Sequence, residues 1–289
     1  MSWRTVVISR RCKLDLKMGY LVARGDEVQR VFLDEIGIIL IENPAVSLTV
    51  CLLQALLDRK VRVIFCDDKR SPLAELEPYH GSHHASGRLR EQLGWSKESQ
   101  VSAWTAIVAE KIRKQRELLL ECEKTEEADL LAEYLEEMEF GDATNREGHA
   151  AKVYFNALFG KSFSRSASHA INAALNYGYG ILLSAVNREI AASGYLNRLG
   201  LHHANQFNPF NLGCDLVEPF RILVDRLVKK GEFSAFETKE KRVVLAVLQQ
   251  TVYIGGQERV LPDAIGVYVR SVFDSIAAND PSRIQFYLI

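Results

Sequence analysis

The spacing of apolar residues changes near residue 80, and this change limits the possible folds more than any other feature of the sequence. Residues 3 to 76 contain short runs of β-branched and aromatic residues between turn signals, a pattern typical of strands. The predicted strands are Trp3–Ile8, Tyr20–Ala23, Val28–Leu33, Ile36–Ile41 and Val61–Cys66. Ser47–Leu57 places its apolar residues on one helical face. The first 80 residues therefore predict a mostly-β domain with one helix.

Beyond a Gly- and Ser-containing boundary loop at 79–87, the apolar spacing is mainly helical. The predicted helices are Ser102–Leu120, Arg146–Phe159, Ile171–Ser193 and Leu216–Lys230, the last three each followed by Gly. The third is rich in Ala, Gly and Ser, so another backbone can approach it closely and we expect it to be central. The acidic stretch Glu117–Glu139 is interpreted as a solvated helical face. The predicted fold class is α+β, with a β domain at 1–80 and a larger all-α domain at 81–289.

The composition disfavours several classes of function. The chain has 36 Lys and Arg against 37 Asp and Glu, so any contact with nucleic acid must use a local basic patch. Its five cysteines form no Cys-x-x-Cys pair, which disfavours structural zinc. The sequence has no phosphate-binding glycine loop and no serine nucleophile elbow. The purest apolar run, Ile36–Ile41, is too short to cross a bilayer, and the N-terminus lacks a secretory pattern, so we expect a cytoplasmic protein without membrane contact.

The start of the helix predicted at Arg146 has two competing interpretations. Thr144, followed three residues later by Glu147, is the pattern of a capping box, in which the carboxylate accepts from a backbone amide. Glu147 also shares a helical face with Ala150 and Tyr154, which is the face that the helix buries. A buried carboxylate needs a partner, such as a metal ion. Both interpretations remain open from this segment alone.

A second acidic group contains Asp215 and Glu218, with Asp225 seven residues beyond Glu218 on the same side. Asp215 or Glu218 can serve as a helix cap, with Pro219 suited to the first helical position. Two nearby carboxylates repel each other unless a cation or a proton lies between them. The pair is therefore a candidate cation site.

Imidazole groups precede this acidic pair at His202 and His203. Acids and a His from separate segments form a ligand set that suits Mn²⁺, or Mg²⁺ with water, and does not match a structural zinc site. A second His group, at His80, His83 and His84, lies in the boundary loop without nearby acids and is interpreted as exposed.

Several segments of the chain carry a family resemblance. The first three are 145–155 (NREGHAAKVYF), 200–208 (GLHHANQFN) and 214–221 (CDLVEPFR). Together they closely resemble the CRISPR-associated protein one family, the integrase of spacer acquisition. Three more, 3–8 (WRTVVI), 63–70 (VIFCDDKR) and 172–179 (NAALNYGY), look like the version from type II systems, which work beside a single-protein RNA-guided nuclease. The resemblance covers nearly the whole chain.

The resemblance implies roles for individual residues. Glu147, His203 and Glu218 are the implied catalytic residues and metal ligands, with Asp215 as an accompanying ligand, and the implied cofactor is Mg²⁺ or Mn²⁺. His203 is preferred to His202 because relatives in type II systems vary at the first position of this pair. The basic residues around these segments are predicted to contact DNA phosphates: Arg146, Lys152, Lys161, Arg165, Arg188 and Arg198.

The implied reaction is metal-dependent DNA strand transfer that inserts prespacer DNA into the repeat array, with related endonuclease activity. The helical domain is then catalytic, and the β domain pairs the subunits of a homodimer, with Trp3–Ile8 and Ile36–Ile41 expected to supply the contact. The other implied partners are CRISPR-associated protein two, DNA and the RNA-guided nuclease of the same system. Two alternatives remain: a metal-dependent structure-specific nuclease that uses water, and a non-catalytic DNA-binding scaffold in which the acids are caps and surface charges.

Overall fold

The computed structural model describes residues 4–68, 72–76, 85–231 and 233–288. The chain divides into two compact units, Met1–Gly81 and Ser82–Ile289. The first unit is strand-rich and the second is helical, which confirms the predicted α+β class. The boundary loop predicted at 79–87 lies outside the described residues up to position 84, and its last three residues belong to a helix.

The first unit contains two four-stranded sheets. Its elements are β1 (Arg4–Ile8), β2 (Lys13–Lys17), β3 (Tyr20–Arg24), β4 (Val28–Phe32), β5 (Ile36–Ile41), β6 (Ser47–Leu48), α1 (Val50–Asp58), β7 (Arg62–Cys66) and β8 (Pro72–Glu75). One sheet has the order β1-β5-β7-β8, with only β8 antiparallel to its neighbour, and the other has the order β4-β3-β2-β6. The two sheets and α1 share one hydrophobic core. It contains Leu14 of β2, Val63 of β7 and Leu52 of α1.

The sequence prediction lacks β2, β6 and β8. The segment of β2, KLDLK, alternates Leu with charged residues, so its mean hydropathy is low although its period is that of a strand. Met18 and Gly19 join β2 to β3 in a tight turn, with φ of 50° and 79°. Two consecutive positive φ angles suit a right-twisted hairpin, but Met-Gly is a weaker sequence signal for it than Asn-Gly.

The strand β5 lies in the interior of its sheet. It pairs with β1 on one side and with β7 on the other, and all six of its residues are buried. Since neither its backbone nor its side chains are available, the expectation that Ile36–Ile41 supplies a subunit contact is wrong. The other segment expected to supply the contact is Trp3–Ile8. Its strand β1 does lie at a sheet edge, and Trp3 lies outside the described residues.

The second unit is built mainly from helices. Its elements are α2 (Ala85–Leu93), α3 (Lys97–Glu121), α4 (Thr125–Glu136), α5 (Arg146–Phe159), α6 (Ala170–Ala192), α7 (Asn211–Leu216), α8 (Arg221–Lys230), α9 (Thr238–Leu245), β9 (Thr251–Ile254), β10 (Gln257–Val260) and α10 (Leu261–Ala278). The hairpin β9–β10 corrects the all-α prediction, and Gly255-Gly256 between its short strands was the available sequence signal. No helix in the described part of the chain is long and apolar enough to cross a membrane.

The helix predicted at Leu216–Lys230 is interrupted in the structure. The helix α7 ends at Leu216, a 3₁₀ turn covers Glu218–Phe220, and α8 begins at Arg221. Pro219 has no amide hydrogen to donate, and its ring clashes with the carbonyl four residues earlier, so an α-helix cannot continue through it. Glu218 therefore lies in a turn between two helices instead of on one continuous face.

Two long helices, α3 and α6, organise the second unit. The helix α6 contacts α7, α8, α9 and α10, which confirms that it is central. A Cβ added at Gly178 would lie 2.5 Å from a side-chain atom of Val224 and 2.8 Å from one of Val244, so a glycine is needed at this close approach. The helix α3 packs against α5 and against the Glu218–Phe220 turn, and it thereby brings two separate acidic segments to one place.

Candidate active site

The helix α5 is capped by an aspartate that the sequence analysis did not identify. Asp142 Oδ1 accepts from the amide of Arg146 at 2.7 Å, and Asp142 Oδ2 accepts from the amide of Glu147 at 3.1 Å. Thr144 Oγ1 is buried and makes no hydrogen bond with the described residues. The capping-box interpretation of Thr144 and Glu147 is therefore wrong, and the Glu147 carboxylate is available for another contact.

That contact is Lys111, on α3, whose ammonium lies between two acidic side chains. Lys111 Nζ is 2.5 Å from Glu147 Oε1 and 2.5 Å from Glu218 Oε2. The side chain of Glu218 is 4% exposed and that of Lys111 is 13% exposed, so both charges are largely removed from water. The structure therefore brings the two predicted acids, 71 positions apart in the sequence, to the same cation.

The charges in this cluster support one another. Burial raises the pKa of Glu218, but the attraction of Lys111 and of Arg221 outweighs burial, and the pKa lies below its ordinary value. Burial lowers the pKa of Lys111, but Glu218 and Glu147 outweigh it, so the net pKa is raised and the ammonium keeps its proton. Arg221 Nη2 also lies 2.8 Å from Glu218 Oε1. At neutral pH both groups of the buried pair are therefore charged.

His203 lies in the segment before α7. Asp215 is a residue of α7, and its side chain binds the backbone of that segment. Asp215 is fully buried, and its carboxylate accepts from the amides of Leu201, His202 and His203 at 2.6, 3.1 and 3.2 Å. Its Oδ1 also lies 2.5 Å from His203 Nδ1. These four contacts use the acceptor positions of the carboxylate. The predicted role of Asp215 as a direct ligand does not fit this geometry, in which Asp215 orients His203.

The two neighbouring histidines have different surroundings. The His202 ring stacks on Trp104, with ring centroids 4.5 Å apart and an interplanar angle of 6°. The hydrogen bond to Asp215 raises the pKa of His203 against the opposing effect of burial, and Glu218 and Glu147 raise it further. His203 therefore lies within electrostatic range of both acids, and its Nε2 is the ring nitrogen that Asp215 does not occupy.

The donor set fits a divalent cation, but its present arrangement does not form a closed metal site. In the described ranges, no group of three or more His, Cys, Asp or Glu side chains is placed to hold a metal ion. The ammonium of Lys111 lies where the carboxylates of Glu147 and Glu218 converge. Two carboxylates and one imidazole nitrogen are ligands that Mn²⁺ accepts, and Mg²⁺ accepts the carboxylates together with water.

The predicted DNA-contacting residues are distributed unevenly around this cluster. Arg165 lines a cavity of about 60 Å³ together with Lys111 and Glu218, and it donates to the side chains of Asn172 and Asn176 at 2.7 Å. Arg198 lines a separate cavity of about 640 Å³ beside His203.

The other four predicted DNA contacts line neither cavity. Arg146 forms an ion pair with Glu137 at 2.9 Å, and Arg188 lies 3.8 Å from Glu189. Lys152 and Lys161 are exposed. These four residues are therefore outside the cavity beside Glu218 and the cavity beside His203, and their contact with DNA stays a prediction.

Asp225, which the sequence places on the same side as Glu218, is not part of the carboxylate pair. It lies against the hydroxyl groups of Tyr154, at 2.8 Å, and of Tyr179. Burial raises the pKa of Asp225 to about 6, although both tyrosine hydrogen bonds oppose the rise. The two phenol hydrogen bonds therefore offset only part of the cost of burying the Asp225 carboxylate.

Two functional side chains, Lys111 and Arg221, were missed by the sequence analysis. Lys111 belongs to a long helix with a mixed polar pattern, and its position opposite two distant acids depends on tertiary packing. Arg221 was visible beside Glu218 in CDLVEPFR, and its spacing of three residues from Glu218 was the available signal.

The chain is similar to the members of one known protein family. The family profile described as CRISPR associated protein Cas1 matches residues 5–254. The CRISPR-associated endonuclease Cas1 of Neisseria meningitidis serogroup C (strain 8013) is 38% identical over 229 residues, which cover 79% of this chain and 75% of that protein.

Solved structures share the fold. A casposase bound to integration product superposes with a TM-score of 0.76 at 19% identity, covering 98% of this chain and 94% of the other. A chain of a Cas6-RT-Cas1–Cas2 complex superposes with a TM-score of 0.75 at 16% identity, covering 98% of this chain and 36% of that longer chain. At these identities the likeness shows the fold alone. The family profile and the Neisseria relative, which together span most of the sequence, show that the chain belongs to the CRISPR-associated protein Cas1 family.

Proposed function

We propose that this chain is a spacer-acquisition integrase that performs metal-dependent DNA strand transfer in a type II CRISPR system. The observation that carries the proposal is the convergence of Glu147 and Glu218, from separate elements, on one cation position near His203. The type II assignment is supported by the 38% identity to the Neisseria protein. The cytoplasm, where the repeat array lies, is the compartment in which this activity is expected.

In the proposed reaction, a 3′-hydroxyl of the prespacer attacks a phosphorus atom of the repeat array. A new P–O bond forms as the bond to the displaced 3′-oxygen breaks, so the number of phosphodiester bonds is conserved and no nucleotide energy source is needed. The residues that would hold Mg²⁺ or Mn²⁺ are Glu147, Glu218 and His203 through Nε2. When bound, the metal would polarise the phosphoryl group and neutralise the charge that develops on it.

The residues of the chain position these groups. Asp215 fixes the His203 ring through Nδ1, so that Nε2 is the nitrogen left for a ligand. Arg165 lines the cavity beside Glu218, where its guanidinium can pair with phosphate oxygens of DNA. Arg221 keeps Glu218 ionised, because its charge favours the carboxylate form.

The partners follow from the same proposal. The likeness to a chain of a Cas6-RT-Cas1–Cas2 complex supports Cas2 as a partner. Inserting a duplex spacer requires two attacks, one on each strand, so an assembly with two active sites is needed. We therefore expect a homodimer that binds prespacer and repeat DNA, with the RNA-guided nuclease of the same system as a further partner.

The second candidate function is hydrolysis by the same site, with water in place of the 3′-hydroxyl. The Neisseria relative is a CRISPR-associated endonuclease, which favours hydrolysis. The non-catalytic scaffold has less support, because Glu147 and Glu218 are neither caps nor surface charges.

One assay separates these functions. A 5′-labelled prespacer duplex with free 3′-hydroxyls is incubated with Cas2, the purified chain and a plasmid that carries a repeat array. A labelled joined product that requires Mg²⁺ or Mn²⁺ supports strand transfer. Cleaved DNA without joining would favour hydrolysis, and unchanged DNA with a bound complex would favour the scaffold.

A further inference from the structure

Lys111 occupies the position where two proposed metal ligands converge, and nothing in the reaction described above requires a lysine there. Its contact with Glu147 is a hydrogen bond at 2.5 Å. Its contact with Glu218 Oε2, also at 2.5 Å, is an ion pair. One ammonium thus balances the charge of both carboxylates.

A cation is needed at this point. Two carboxylates held close together in a largely buried place repel each other unless a positive charge lies between them. Arg221 pairs with the other oxygen of Glu218, at 2.8 Å, and Glu147 has no second cation within ion-pair distance in the described parts of the chain. Lys111 is therefore the group that allows Glu147 and Glu218 to stay ionised and close together before a metal arrives.

The described part of the structure also contains an unpartnered acceptor beside the same cavity. Lys111 lines the cavity of about 60 Å³ together with Gln115, one helical turn further along α3. Gln115 is 4% exposed, and its Oε1 is buried without a hydrogen-bond donor among the described residues. Residues four apart share a helical face, so a rotamer change of the long Lys111 side chain is enough to direct Nζ toward this acceptor.

From these contacts we infer that Lys111 is a resident counter-cation that exchanges with the divalent metal. Without metal, its ammonium lies between Glu147 and Glu218 and keeps them in place. When metal binds, the ammonium moves to Gln115 Oε1 and leaves both carboxylates to the metal. Lys111 is then a positioning residue, and the inference rests on the proposed function because it takes Glu147 and Glu218 as the ligands.

The test is a Mn²⁺ titration of the full chain without DNA, by isothermal calorimetry. Lys111→Met removes the competing cation, so it should tighten Mn²⁺ binding by about tenfold, the scale of a lost charge-pair competition. Gln115→Leu removes the second position and should weaken Mn²⁺ binding. Lys97→Met, at the exposed start of the same helix, controls for the loss of one positive charge and should leave the affinity unchanged.

Melting temperatures provide a second readout that does not depend on calorimetry. In EDTA, Lys111→Met should melt below wild type because the carboxylates repel, and Mn²⁺ should raise its melting temperature more than that of wild type. Lys111→Ala serves as a second variant with a smaller side chain. Equal or weaker Mn²⁺ binding by both Lys111 variants, or an unchanged affinity in Gln115→Leu, would overturn the exchange.

The joining assay distinguishes this failure from failure of the proposed function. If wild type joins DNA and its Mn²⁺ affinity does not depend on Lys111, the exchange is wrong and the integrase assignment stands. If wild type neither binds Mn²⁺ nor joins DNA in the presence of Cas2, both are wrong.

Discussion

The Nδ1 atom of His203 lies 2.5 Å from Oδ1 of Asp215, and the same carboxylate accepts from three successive backbone amides. One buried aspartate thus fixes both the backbone of the His203 segment and the orientation of its ring. This arrangement resembles the way in which an outer carboxylate orients a metal-bound imidazole.

Asp215→Asn should therefore reduce both stability and activity. The amide nitrogen of Asn cannot accept, so at least one buried N–H loses its partner, at a cost of about 3 kcal/mol in the free energy of unfolding. Joining should fall by about 10- to 100-fold, the scale of lost outer-shell support. Urea denaturation and the joining assay measure the two effects, and wild-type values in both would contradict the positioning role.

The neighbouring histidines should differ in their effects. His203→Ala should reduce joining by at least about 100-fold, since it removes a proposed ligand. His202→Ala removes a ring stacked on Trp104 and should cost about 1 kcal/mol of stability with a much smaller loss of joining. The two variants are compared at equal folded concentration. An inactive His202 variant beside an active His203 variant would reverse the assignment.

Asp225 should make the protein less stable as the pH rises. Its pKa is raised by folding from an ordinary value near 3.8 to about 6, so the folded state binds the proton more tightly than the unfolded state. The contribution of Asp225 to the free energy of unfolding is fully present below pH 3.8 and is lost as the pH rises through 6. The total loss is about 3 kcal/mol.

Asp225→Asn removes this titration while it keeps one acceptor and offers a donor to the second phenol. The free energy of unfolding of Asp225→Asn, measured relative to that of wild type, should therefore be higher at about pH 7.5 than at about pH 4. Denaturation curves at the two values measure the change, with Asp129→Asn on the exposed face of α4 as the control. A stability difference that does not change with pH would show that Asp225 does not titrate in this way.

The purified chain should be a homodimer at micromolar concentration without Cas2. An isologous interface is expected because most homodimers are closed and two-fold. The strand β1 lies at a sheet edge, whereas β5 cannot contribute since it is buried. Light scattering gives the mass directly. A mass close to 32.6 kDa, that of one chain, would contradict the prediction.

Local patterns were sufficient to predict much of this architecture. The stretch Arg146–Phe159 has regular apolar spacing and a terminal Gly, and α5 occupies the predicted range. The break at Pro219 was also encoded locally, but the apolar spacing on both sides suggested one helix. The turn Met18-Gly19 carries a weak signal, so β2 was missed.

The sequence was sufficient to predict which acids and which histidine form the site, but not how they are arranged in space. Glu147, His203 and Glu218 follow from recognisable segments. Lys111 is one of 36 basic residues, and its importance depends on how α3 packs against α5 and the Glu218 turn. The role of Asp215 likewise depends on a chain reversal between His203 and α7 that brings three amides to one carboxylate.

The central claim is that Glu147 and Glu218 hold a metal ion used for strand transfer, and the most direct measurement is joining of labelled prespacer to repeat DNA by Glu147→Gln in Mn²⁺. Glu136→Gln, at an exposed position of α4, is the matched control. We expect no joining by Glu147→Gln, full joining by the control, and loss of joining by wild type in EDTA. Joining by Glu147→Gln at the wild-type rate, or joining by wild type in EDTA, would contradict the claim.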